Sequence, residues 1–145
     1  MITVFTDDKL PEEYSGFIDS CIAALFSDED DHQIYIEVSK FLTENPGCAG
    51  ICTGDAAEST IQVATHWSYE DGEEYAYEPH ELASNIAHEL VHAKQFCREQ
   101  INMIDNVWKH NGVVINCDAA EYAETPWEVE AYTYESILTD IFWEN

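Results

Sequence analysis

The sequence predicts a mixed α+β domain, and three observations carry that prediction. Short stretches that alternate apolar and polar residues occupy the first half of the chain. A helical pattern lies among them after Pro11, and a longer one follows them after Pro79. A third helical pattern, opened by Pro126, closes the chain. Alternation with period two marks half-buried strands, whereas apolar residues three and four apart mark helices. At 145 residues, 46% hydrophobic and 12% aromatic, the chain suits one domain, residues 1–145, with one core.

Taken in order, Ile2-Thr3-Val4-Phe5 reads as a first strand. Pro11 opens a helix whose first turn carries Glu12 and Glu13, suited to the positive helix end. Phe17, Ile18, Cys21, Ile22, Leu25 and Phe26 form its apolar face. An acidic loop follows, Ser27 to Asp31. Gln33 to Ser39 alternates as a strand, Asn45-Pro46-Gly47 is a turn, and Ala49 to Thr53 is a further strand. Thr60 to Trp67 alternates again, before an acidic loop from Tyr69 to Tyr77. The long helix runs from about Glu81 to Arg98, with Leu82, Ile86, Leu90, Ala93 and Cys97 as its stripe. Residues 101–118 show no clear period. The last helix, about Trp127 to Phe142, is expected to bury Val129, Tyr132, Ile137 and Ile141.

Composition excludes several functions. Thirty acidic residues against five basic ones give a net charge of -25. Such a surface repels phosphates and anionic lipids, so no direct nucleic-acid or membrane partner is expected. It instead favours solubility, basic partners, or imitation of DNA charge. No run is long and apolar enough to span a bilayer. The cysteines are odd in number (21, 48, 52, 97 and 117) and no secretory signal opens the chain, which points to reduced thiols in a cytoplasm. Cys48 and Cys52 alone make a weak second metal site.

The chemistry concentrates in Ala87-His88-Glu89-Leu90-Val91-His92-Ala93. On a helix, His88 and His92 stand one turn apart on one face and can share a zinc ion. Glu89 then lies beside the metal, placed to take a proton from a metal-bound water. Gln95 and Glu99 are expected near the histidines, and His80 at the helix start or on the surface. Catalytic zinc usually has three protein ligands. The last helix offers Glu128 and Glu130, which point to different sides because they are two apart. Glu130 beside the small Ala131 is the first choice, Glu128 the reserve and Glu135 the third.

His88-Glu89-Leu90-Val91-His92 followed by Glu130-Ala131 resembles a gluzincin, the thermolysin-like zinc metallopeptidases with two histidines and one glutamate. His88 to Gln95, Trp108-Lys109, Tyr122 and Pro126 to Tyr132 further resemble small metallopeptidases encoded by bacteriophages. The resemblance covers about the second half of the chain. It implies a zincin-like fold: a small twisted, mostly antiparallel sheet, an N-terminal helix, an active-site helix and a glutamate helix. It also implies His88, His92 and Glu130 as ligands of Zn²⁺, and a location in the cytoplasm, the host's where the gene is a phage's. Glu130 comes 38 positions after His92, longer than the usual gluzincin gap, so residues 101–125 form an inserted excursion.

In such a fold the strand Thr60 to Trp67 would line the cleft as its edge and add an extended peptide. His66 at its end is a candidate helper. Tyr122 is the first choice of oxyanion donor, with Tyr132 or Tyr134 behind it. The expected activity is zinc-dependent hydrolysis of a peptide or protein substrate, favouring basic ones. The alternatives are a catalytically silent zincin-scaffold binding module, an acidic decoy of a DNA-binding protein, and a hydrolase of another amide such as a cell-wall crosslink.

Overall fold

A computed structural model describes residues 1–42, 49–69, 71–104, 107–110, 113–114 and 126–143. Its elements run β1 (Ile2–Thr6), α1 (Glu13–Leu25), β2 (His32–Ser39), β3 (Gly50–Gly54), β4 (Glu58–Ala64), β5 (His66–Ser68), β6 (Glu74–Ala76), α2 (Pro79–Cys97), β7 (Ile101–Ile104), β8 (Val107–His110), β9 (Val113–Val114) and α3 (Pro126–Phe142). The result is an α+β fold.

The main sheet has the order β1-β2-β4-β3. β1 pairs with β2 in parallel, Val4 against Ile34, and β2 with β4 in parallel, Ile36 against Ile61. Only β3 is antiparallel, Cys52 against Ile61. The expected mostly antiparallel sheet is therefore corrected to a mostly parallel one. α1 carries the chain back to start β2 in the same direction as β1, and β3, running back between β2 and β4 in sequence, leaves those two parallel as well. The β3–β4 turn is held by Asp55, whose carboxylate accepts from the Ala57 and Glu58 amides at 2.8 and 3.1 Å.

The stretch from Thr60 to Trp67 is not one strand. β4 ends at Ala64, and β5 forms a separate antiparallel pair with β6, His66 against Ala76. β4 is also an interior strand, so the edge beside the helices is β3. Part of the expected acidic loop is thus β6. The unreadable stretch contains a small antiparallel sheet, β7-β8-β9. The expected turn at Asn45-Pro46-Gly47 lies outside the described residues.

The sheet is apolar on one side: Ile34, Ile36, Val38, Ile61 and Val63 are buried, while Gln33, Glu37 and Gln62 are exposed. α2 lies over β4 and β3, with α1 and α3 against it. Most of the predicted face of α1 is buried (Phe17, Ile18, Cys21, Leu25 and Phe26), with Ile22 half-buried, and Tyr14 joins it. Trp143, just past α3, stacks on Tyr14 at 5.0 Å and meets Phe17 edge-on at 5.5 Å, pinning the end of α3 to α1. No helix among the described residues is long and apolar enough to cross a membrane.

α3 buries a different face from the one expected. Trp127, Glu128, Ala131 and Leu138 are buried, whereas Val129, Tyr132, Ile137 and Ile141 are 45–65% exposed. The apolar residues of α3 lie on several sides of it, and the side turned to α2 carries carboxylates because it meets histidines.

Candidate metal centre

α2 begins with Pro79, where the missing amide hydrogen costs nothing. The Glu81 carboxylate accepts from the Glu78 amide at 2.9 Å and from the Tyr75 hydroxyl at 2.7 Å, which fixes the helix start. From Ile86 to Phe96 every residue is buried. Ile86, Leu90 and Val91, fully buried, contribute about 1.5–3 kcal/mol each. The polar residues in the same stretch, His88, Glu89, His92, Lys94 and Gln95, must therefore find partners inside the protein. At its other end α2 closes with Glu99 at φ 55°, while the Gln100 amide reaches the Gln95 carbonyl at 2.8 Å and the Glu99 amide that of Phe96 at 3.0 Å. That is a Schellman closure with a glutamate where glycine is usual.

The two imidazoles converge. His88 Nε2 and His92 Nε2 are 3.3 Å apart. The carboxylate facing them is that of Glu128: Oε2 lies 3.2 Å from His88 Nε2 and Oε1 2.5 Å from His92 Nε2. His88, His92 and Glu128 each bring one ligating atom within a 4.8 Å span, a group compatible with a metal ion. Tetrahedral zinc with bonds of about 2.0–2.1 Å needs donor atoms about 3.3 Å apart, a spacing met between the two Nε2 atoms and between His88 Nε2 and Glu128 Oε2.

Glu130 is not part of this group. Its Oε1 accepts from Gln95 Nε2 at 3.0 Å and pairs with Lys94 at 3.3 Å, on another side of α3. The preference for Glu130 is thus corrected in favour of Glu128. Burial of Trp127, Ala131 and Leu138 sets the roll of the helix, and that roll turns position 128, not 130, toward α2. Glu135 is seven residues beyond Glu128, close to the same line along the helix. It stands behind the pair, 3.6 Å from His88 Nδ1, and accepts from Ser84 Oγ at 3.0 Å.

Electrostatics follow from these contacts. Burial favours neutral imidazoles, but Glu128 and Glu135 outweigh it at His88 and raise its pKa to about 10. His92 is raised as well, burial again being outweighed by Glu128 and Glu89. Burial would raise the Glu128 carboxyl, yet hydrogen bonds from both histidines hold it at about 2. The cluster is built to hold positive charge at the two Nε2 atoms.

Glu89 sits on the sheet side of the helix. A Cβ at Gly50 of β3 would come within 3.1 Å of its Oε1 and Cγ, so only glycine leaves the carboxylate its place. Burial lifts the Glu89 pKa to about 6, against the pull of His92 and His88. A carboxylate with that value exchanges protons near neutral pH.

Of the predicted helper and oxyanion-donor residues in the described part of the chain, Tyr132 alone touches the histidine group. His66 meets the Thr65 hydroxyl at 2.7 Å and the edge of Phe41, in the β5–β6 pair and not in the histidine group. Tyr122 lies outside the described residues. Tyr132 packs its ring on His88 with centroids 4.8 Å apart, and Tyr134 lies under Lys94. His80 is exposed, as expected. Cys48 and Cys117 lie outside the described residues. Cys21, Cys52 and Cys97 are free thiols, and burial pushes that of Cys21 up to about 12. Sequence reasoning missed Gly50. Its signal was weak, a glycine opening a short strand.

No protein family, curated protein or solved structure matches this chain.

Proposed function

We propose that the chain is a zinc-dependent peptidase with a zincin-like active site. One observation carries this reading: two imidazoles from α2 and a carboxylate from α3 converge with one ligating atom each within 4.8 Å, and a second buried carboxylate, Glu89, stands next to them. His88, His92 and Glu128 would hold the ion. Zinc supplies Lewis acidity and lowers the pKa of water toward neutrality. Glu89 serves as general base and then as acid, taking a proton from the attacking water and returning it to the leaving amine. Burial keeps Glu89 poised for both, since its raised pKa lets it accept and release the proton at little cost.

β3 ends the main sheet among the described strands and carries Gly50 against Glu89. An extended substrate pairing with this edge would pass its carbonyls beside the metal centre. The net charge of -25 favours basic substrates by attraction. The test is Glu89→Gln assayed on a mixed peptide library. Hydrolysis disappears while zinc remains bound. Undiminished turnover in that variant, or a wild-type protein that binds zinc and cleaves no peptide, defeats the peptidase reading.

A further inference from the structure

Gln95 is buried at 1% exposure, just under one helical turn past His92 and without a direct place in the metal group. Its side chain is fully engaged. Oε1 meets His92 Nδ1 at 2.7 Å. Nε2 donates to the Trp127 carbonyl and to Glu130 Oε1, both at 3.0 Å. The orientation of this amide follows from its neighbours. A carbonyl and a carboxylate can only accept, so the nitrogen must face them and the oxygen must face His92. Facing an acceptor, His92 Nδ1 carries a hydrogen, and the lone pair of the neutral ring is left on Nε2, the atom turned to His88 and Glu128.

We propose that Gln95 is the positioning residue of the metal centre, with one amide doing two jobs. Its oxygen selects the tautomer of His92 that can ligate through Nε2. Its nitrogen grips the first turn of α3 at the residue preceding Glu128, setting the height of that carboxylate against the two histidines. The ligands from α2 and α3 are thereby registered to each other by a group that touches no metal. Glu130, the half-buried neighbour of this grip, assists by occupying the second hydrogen of the amide. This inference rests on the metal-site reading above.

The test uses the full chain and zinc itself. Affinity is measured by competition with a chromogenic chelator in wild type, Gln95→Met and Gln95→Glu. The state of His92 is read by ¹⁵N NMR in the zinc-loaded proteins, and exchange of the α3 first-turn amides is read in parallel. Outer-sphere partners of this kind are worth about 10–100-fold in metal affinity. Gln95→Met, of similar length but without hydrogen bonds, loses about that factor, leaves the His92 Nδ1–H without its acceptor so that its signal is lost to exchange, and speeds exchange in the first turn of α3. Gln95→Glu restores the Nδ1–H signal, because the acceptor is back, but not the slow exchange, because the donor is gone. Gln95→Met with wild-type affinity and an unchanged His92 signal overturns the proposal. Wild-type protein that fails to bind zinc overturns the metal site itself, and that failure is visible before any substitution is compared.

Discussion

Replacing Glu128 by glutamine, with Glu130→Gln as its control, separates the two candidate ligands by stability as well as by metal. In the metal-free protein the His88 and His92 contacts overcome burial and hold the Glu128 carboxyl at about 2, against an ordinary 4.5. At about 1.4 kcal/mol per pKa unit, that difference corresponds to about 3 kcal/mol of folding stability. A depressed carboxyl contributes fully above 4.5, and the contribution is lost as pH falls through about 2. His88 reports the same contacts from the other partner. Its raised pKa contributes fully below 6.5 and is lost as pH rises through about 10, so the two figures are not summed. Both are complete between 4.5 and 6.5, which sets the pH of the measurement. Urea denaturation in chelator at about pH 5.5 should show Glu128→Gln less stable by about 3 kcal/mol. Glu130, one-third exposed and paired with Lys94, should cost about 0–1 kcal/mol. In a zinc competition assay Glu128→Gln should lose more than about 100-fold, beyond the range of an outer-sphere partner, and Glu130→Gln less. The reasoning fails if Glu130→Gln is the more damaging change in both assays.

Gly50→Ala tests the contact between β3 and Glu89. The new methyl group meets the Glu89 carboxylate at 3.1 Å and displaces it by a few tenths of an ångström. With about 100-fold in rate at stake per ångström of misplacement, peptidase turnover should fall several-fold to about tenfold while zinc affinity holds. Unaltered turnover removes Glu89 from its assigned role or its assigned place. Glu99→Gly relieves a left-handed backbone that costs a residue with a side chain about 1 kcal/mol, so the urea midpoint should rise. A lower midpoint contradicts the Schellman closure at the end of α2.

The helix that organises the molecule was readable because its signals agree. His88 and His92 lie on one face, Ile86 and Leu90 on the next, and nothing breaks the run. β1, β2 and α1 were readable from simple periodicity. The sheet direction is less legible because strand pairing is a property of connections: the α1 crossover makes β1 and β2 parallel, and the return through β3 does the same for β2 and β4. The α3 face was misjudged because apolar residues were assumed to mark the buried side. There the buried side is partly acidic, and the useful pattern was Glu128 with Glu135, seven apart and both aimed at His88. Trp127 with Ala131 pointed to the same side. Position 50 could not be inferred, since the contact joins residues 39 apart in sequence and depends on which strand lies at the edge.

α3 has few apolar anchors of its own: Trp127, Ala131, Leu138 and the partly buried Phe142 within it, and Trp143 just beyond. Much of its remaining hold on the body passes through the acids that face His88 and His92. A cation shared by the two helices would then act as a rivet for the tail of the chain, adding to stability in proportion to the logarithm of its concentration. Stripped with a chelator, α3 would be held by the acid–histidine contacts alone, and as urea rises it would loosen before the sheet gave way. At the same urea concentration a protease should clip the chain near Pro126 faster in the chelated protein than in the zinc-loaded one.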